Sequence, residues 1–387
     1  FTYHTALVRA IEAEGMNAVA VFSNSYRDER VESPTLMDAI RKYFCRDGEP
    51  FVDVIISTMK FSIKAGGTRL EDLYELGVPI LEAYAVLAEK GEWERSPAGL
   101  DPMEVSMSVA MPEFDGVIHA VPIAAKVRDE SGEVGYAALD ERMERIACKA
   151  RKWAALRHKP NAEKKIAIVF HNYPPTNANI GSAAGLDSPE SVLRLLTAMR
   201  TAGYLMDEIP ESSKAFMKLL TDHATNDRRF MSAAQAKSAD GQLTAEQYRA
   251  FFTELPAQVR SQLIKDWGDA PGDVFNYDGK LLIPGTLNGN LFITVQPPRG
   301  FGEDPGKLLH SPDAAPTHHY IGYYHWLRDI WKADAVIHVG THGSLEWLPG
   351  KSTGLSDTCY PDVSLGDLPD IYPYWITIVG EGIQAKR

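Results

Sequence analysis

Cysteine is scarce. Cys45, Cys148 and Cys359 are the only three in 387 residues, and no two stand as a CxxC pair. That excludes a disulfide framework and a thiolate zinc site, and it fits a reducing cytoplasm. No apolar run approaches the roughly 18–20 residues that cross a bilayer, so no membrane span is expected. No secretory leader is visible either. Basic charge is in the minority: Lys and Arg number 40 against 52 Asp and Glu, a net charge of −12. Nucleic acid is therefore a poor partner, because a phosphate backbone requires a basic footprint. A P-loop lysine and a clean G-x-G-x-x-G are both lacking, so no nucleotide site is read here. The chain opens on Phe1 rather than Met and stops at Arg387; it reads as an internal piece of a longer protein.

The hydrophobic fraction of 44% and charged fraction of 24% are those of an ordinary globular protein. The stretch with most chemistry is Ala333 to Lys351, ADAVIHVGTHGSLEWLPGK. Ala335-Val336-Ile337 reads as a buried strand with His338 at its end. Gly340, Thr341 and Gly343 loosen the backbone, and Ser344 to Leu348 form a short helix stopped by Pro349-Gly350. His338, His342 and Glu346 thus follow one another at four-residue steps around a strand-to-helix turn. Ligands of open α/β sheets bind at such carboxyl ends. Two imidazoles and a carboxylate suit a divalent metal ion, and equally suit proton transfer near neutral pH. The spacing alone does not choose between these and a structural loop.

The fold class is α/β, with two or more parallel-sheet domains and a helical insertion. Residues 1–130 form an N-terminal α/β domain. Its expected strands are Asn17–Phe22, Val52–Ser57, one starting at Val78–Leu81, and short ones at 117–119 and 120–123; its helices are Pro34–Tyr43 and Leu70–Leu76. Residues 131–160 form a helical linker whose Arg142, Arg145, Lys149, Arg151 and Lys152 make a solvated face. Residues 161–387 form a second α/β domain with a helical insertion at about 211–270, read as a rim element. In it Lys165–Phe170 is a strand. A long Pro/Asn/Gly/Ser loop follows, and then a helix with Asp187-Ser188-Pro189 at its start, a strong cap signal. Loops of that length are often functional. Lys280–Pro284 and Asn290–Gln296 read as adjacent strands. Arg299, in a loop with Glu303 and Asp304, is able to clamp a ligand carboxylate or to close a local ion pair. His318-His319 lead a helix Tyr320–Trp331 whose aromatics read as core. Beyond Lys351 the chain reads as a long loop wrapped over a site.

These blocks carry a resemblance. HVGTHGSLEWLPGK (338–351), Gly366-Asp367-Leu368-Pro369, Gly380-Glu381-Gly382, QPPRGFGEDP (296–305) with His318-His319-Tyr320, and the strand–loop–helix from Ile166 to Tyr204 resemble the family of CobN-type cobaltochelatase large subunits and magnesium chelatase H subunits. The blocks span about 160–387, and residues 1–150 agree only in general style. Thr377-Ile378-Val379 stand where the family commonly has Asn-Asp-Pro. The resemblance implies a large, tetrapyrrole-binding subunit of a ligase that forms nitrogen–metal bonds. It implies insertion of Co2+ into a corrin precursor of the hydrogenobyrinic acid a,c-diamide type, in cobalamin biosynthesis. Alternatively Mg2+ and protoporphyrin IX are the substrates, or the protein binds a tetrapyrrole or metal without catalysis. ATP would be hydrolysed by AAA+ ATPase partner subunits, and this piece alone would be inactive. His338, His342 and Glu346 would handle metal and protons. Asn172, Tyr173, Gly185, Asp187, Arg299, Glu303, His318, His319 and Lys351 would hold the macrocycle. A stand-alone metallohydrolase using the same three residues is the reading from another class.

Overall fold

The computed structural model of the protein describes all residues except 1, 24–29, 31–33, 64–68, 224, 228–231, 301–310, 341–342, 374–381 and 383–387. The chain divides into two units, one built on residues 1–158 with 351–356, the other on 159–350 with the described residues that follow 356. Each is an α/β unit, as the alternation of apolar runs and helical patterns implies.

In the first unit, strands Ile55–Ser57, Ile80–Glu89, Ile118–Arg128 and Val134–Ala138 lie side by side in that order. The first two pairings are parallel and the last antiparallel. The two expected short strands at 117–123 are one continuous strand. Asn17–Phe22 joins no ladder among the described residues, and Phe22 is 79% exposed; an apolar run becomes a strand only where neighbouring backbone takes up its hydrogen bonds. The helix expected as a linker, Asp140–His158, belongs to this unit. It lays Met143, Ile146 and Ala150 on Leu81, Ala83, Val121 and Ile123 of the sheet. Its basic face is not all solvated. Arg142 is 1% exposed and Lys149 is buried, and Arg142 pairs with Glu141 and donates to Leu355 O.

The second unit centres on a five-stranded sheet in the order Gly285–Asn288, Leu291–Val295, Ile166–Phe170, Ala335–Val339, Asp370–Ile371. All pairings are parallel but the first, a hairpin. The middle three strands are buried along their whole length, as parallel strands covered on both faces must be. Lys280–Ile283 is not beside Leu291–Val295 as expected. It pairs with Gly241–Thr244 and Asn276–Tyr277 in a separate antiparallel sheet. Pro284 and Gly285 divert the chain between the two sheets. Gly285 sits at φ +140, and a Cβ there would come 2.7 Å from Ile293 O, so only glycine makes this turn.

The 211–270 insertion is more than a rim. Its helices Ala245–Glu254 and Ala257–Trp267 send Tyr248, Phe251, Val259 and Leu263 into the core that also holds Tyr320, Tyr323, Tyr324 and Val336. Each such side chain contributes about 1.5–3 kcal/mol of apolar burial. Helix His318–His325, capped by Thr317 Oγ1 on Tyr320 N, continues as a π turn over Trp326–Ile330 and is buried on every side. The chain after Lys351 is not simply a wrapped loop: it forms helix Tyr360–Leu365 and the edge strand Asp370–Ile371.

Candidate functional site at the carboxyl edge of the central sheet

The strand Ile166–Phe170 is flanked by Leu291–Val295 on one side and Ala335–Val339 on the other. The chain therefore crosses over its own first strand between the second visit and the third. A crevice forms outside the carboxyl ends at such a switch point. Two clefts open there. One, about 340 Å³, is bordered by His171, Asn172, Tyr173, Pro297, Arg299 and Ser344. The other, about 220 Å³, is bordered by Gln296, His338, Leu345, Glu346, Asp370 and Tyr372. Gln296, one residue past its strand, lines both.

His338 is held at both ring nitrogens. Nδ1 lies 2.7 Å from Asp370 Oδ1, and Nε2 lies 3.0 Å from the Tyr324 hydroxyl. Burial pushes the imidazolium down, but the Asp370 charge and hydrogen bond, with Glu346 adding to them, outweigh it and leave His338 above its ordinary pKa. Asp370 reaches it by register. It pairs across the parallel ladder with Val336, and Val336 and His338 share one face of their strand. Glu346 sits in the middle of the short 3-10 turn Leu345–Trp347. Both its oxygens accept from Gly343 N, at 3.0 and 3.1 Å. His338 and Glu346 therefore meet in one cleft as expected. His342 and Glu303 lie outside the described residues, and among those described no three His, Cys, Asp or Glu side chains come together as a metal-binding group. A metal ion would reach His338 Nε2 only by displacing the Tyr324 hydroxyl.

Several expected substrate contacts have other work. Arg299 is 3% exposed. Its guanidinium donates to Trp347 O and Ala314 O, both at 2.7 Å, and to Ser311 O. It staples the 311–314 loop to the Glu346 turn while forming part of a cleft wall. Lys351 belongs to the first unit, where its ammonium donates to Trp93 O (2.6 Å), Glu94 O and Ser96 O (both 2.9 Å) at the end of helix Lys90–Arg95. His318 is a core residue bridging the Tyr248 hydroxyl (2.8 Å) and Gly268 O (2.9 Å), and burial lowers its pKa. His319 is fully buried, with Nε2 2.6 Å from Leu282 O and a pKa lowered to about 4 by burial.

Asn172 and Tyr173 do line a cleft. In the orientation that matches donors to acceptors, the Asn172 amide donates to Thr176 O at 2.9 Å and Pro174 O at 3.3 Å. Gly185 and Asp187 line neither cleft. Asp187 caps helix Ser188–Thr201 through Glu190 N, the task its position before Ser-Pro implies.

Residue patterns alone missed Asp370, Gln296, Tyr324 and Tyr372. Asp370 follows the flagged GDLP block directly, and Gln296 opens the flagged QPPRG block; proximity to those blocks was the available signal. Tyr324 is core, but its hydroxyl ends on His338.

Comparison with known proteins places these features in a family. The model of the family described as CobN/Magnesium Chelatase matches residues 1–387, so the kinship extends through the first 150 residues as well. An aerobic cobaltochelatase subunit CobN of Pseudomonas aeruginosa is 42% identical over 80% of this chain and 25% of its own length. A chloroplastic magnesium-chelatase subunit ChlH of Oryza sativa subsp. indica is 33% identical over the whole chain and 27% of its own. The solved catalytic subunit of cobaltochelatase from Mycobacterium tuberculosis superposes with a TM-score of 0.80 at 35% identity, over all of this chain and 32% of that one. The chain thus spans about a third or less of the relatives it matches. Among the described residues no helix is long and apolar enough to cross a membrane.

Proposed function

The chain belongs to the CobN/Magnesium Chelatase family, and on that premise we propose that it carries the proton-handling part of a metal chelatase's large subunit. The substrates are a tetrapyrrole and a divalent metal ion. Co2+ and a corrin precursor are the favoured pair, supported by the CobN relative and the cobaltochelatase structure. The plant relative keeps Mg2+ and protoporphyrin as the second reading. ATP is hydrolysed by AAA+ partner subunits, which act on the whole protein rather than on this piece.

The observation that supports this reading is the acid–imidazole–phenol series at the sheet's carboxyl edge, with a second carboxylate across the cleft. Insertion has two requirements. The ion must shed water, and two ring N–H protons must leave as the metal–nitrogen bonds form. Glu346, oriented by the Gly343 amide, is the carboxylate that meets the incoming ion and takes a proton. His338, made more basic by Asp370, is the second acceptor, reached at Nε2 through the Tyr324 hydroxyl. The neighbouring cleft, walled by Tyr173, Pro175, Pro297 and Pro298, suits the edge of a flat ring.

The test uses the full-length protein with its ATPase partners. Glu346→Gln should abolish cobalt insertion, followed by absorbance, while corrin-precursor affinity stays within a few-fold of wild type. Insertion at the wild-type rate would reject the assignment. Parallel titration with protoporphyrin separates the two substrate pairs.

A further inference from the structure

Gln296 makes two hydrogen bonds whose directions are settled by chemistry. Its Oε1 lies 2.7 Å from Ser344 N. A backbone N–H only donates, so the amide oxygen must face it. The amide nitrogen then faces the Tyr324 hydroxyl at 3.0 Å, and an NH2 group also only donates. Tyr324 oxygen is therefore an acceptor toward Gln296, and its own proton must go elsewhere. Two acceptors stand beside it: His338 Nε2 at 3.0 Å, and the hydroxyl of Tyr320, which is itself 3.0 Å from Ser344 Oγ. On the far side of the imidazole, Asp370 demands a proton on Nδ1. The neutral ring then offers a bare lone pair at Nε2, and that lone pair takes the Tyr324 proton.

We propose that Gln296 is a positioning residue that sets the direction of the whole series, Ser344 N–H to Gln296, Gln296 to Tyr324, Tyr324 to His338, His338 to Asp370. Asp370 decides which imidazole nitrogen carries a proton. Gln296 decides that the other nitrogen faces a donor rather than an oxygen lone pair. Turning the amide over would set its NH2 against the Ser344 N–H, two donors face to face, so the orientation is fixed. Gln296 is 3% exposed, its backbone oxygen accepts from Asn226 Nδ2 at 2.7 Å, and its backbone nitrogen donates to Phe170 O at 2.9 Å. Gly343 lies so close that a Cβ there would stand 2.7 Å from Oε1. The consequence for insertion rests on the chelatase reading, but the polarity itself does not.

The test needs no substrate, so its failure and the failure of the chelatase reading are separable. The protein is prepared with 15N-labelled histidine, and the His338 signals are identified by their loss in His338→Gln. Above the His338 pKa, wild type should show a protonated Nδ1 and a hydrogen-bonded, unprotonated Nε2. Gln296→Glu replaces the donating NH2 with an accepting oxygen, so Tyr324 turns its proton to that carboxylate. The Nε2 resonance should move toward the position of a bare imidazole nitrogen, while Nδ1 stays protonated. Tyr324→Phe should give the same move, and the two changes together no further one, as expected for residues acting in series. An Nε2 resonance that moves in Tyr324→Phe but not in Gln296→Glu would overturn the role of Gln296. One that moves in neither would overturn the series.

Discussion

His338 Nδ1 and Asp370 Oδ1 stand 2.7 Å apart across a parallel ladder, though 32 residues separate them in the chain. The pairing couples a buried imidazole to a partly buried acid through the edge strand Asp370–Ile371. Its register is what counts. A slip of one residue would turn Asp370 to the other face.

Removing that charge should reverse the sign of the His338 shift. In Asp370→Asn the burial that lowers the pKa is no longer outweighed, so the ring should titrate below its ordinary 6.5 rather than above it. Wild-type His338 contributes stability that is fully present below 6.5 and lost as pH rises through its raised folded value. The variant instead loses stability on acidification. The stability gap between the two should therefore widen from about pH 8 to about pH 5, by about 1.4 kcal/mol per unit of difference in pKa. Denaturant titrations at a series of pH values measure it.

His319 carries the opposite linkage. Its folded pKa of about 4 lies below the unfolded 6.5, so its contribution is present above 6.5 and lost as pH falls toward 4. At about 1.4 kcal/mol per pH unit the loss is on the order of 3 kcal/mol. His319→Gln keeps a donor for Leu282 O and has no proton to gain. Its unfolding free energy should fall less between about pH 7 and about pH 4 than that of wild type.

Lys351 tests structure against ligand binding. Lys351→Met leaves the carbonyls of Trp93, Glu94 and Ser96 without their cation. The expected cost is about 2–4 kcal/mol of stability, seen as a lower thermal midpoint. Macrocycle affinity, measured well below that midpoint, should stay near wild type; a large affinity loss with unchanged stability would return Lys351 to the binding site.

Gly343→Ala places a methyl 2.7 Å from Gln296 Oε1 and 2.9 Å from Nε2. The amide must shift and release Ser344 N. Displacing a positioning group by a fraction of an ångström should slow insertion by the full-length protein about 10- to 100-fold. Steady-state turnover at saturating metal and macrocycle checks this.

What the sequence determined by itself was local. The capping signal at Asp187 and the strands at Lys165–Phe170 and Ala335–Ile337 depend on residues within a few positions of one another, and they formed within a residue or two of where they were expected. The family blocks were legible for the same reason, since they are contiguous. What only the tertiary structure decided was pairing at a distance. Parallel ladders join strands from far along the chain, and no local pattern states which register brings Asp370 to His338 or Gln296 to Tyr324. Nor does residue type reveal that the cations of Arg299 and Lys351 are spent on backbone carbonyls, or that His318 and His319 are core. A charged group's task depends on which acceptors burial leaves within its reach, and that is settled only when the sheets and helices close around it.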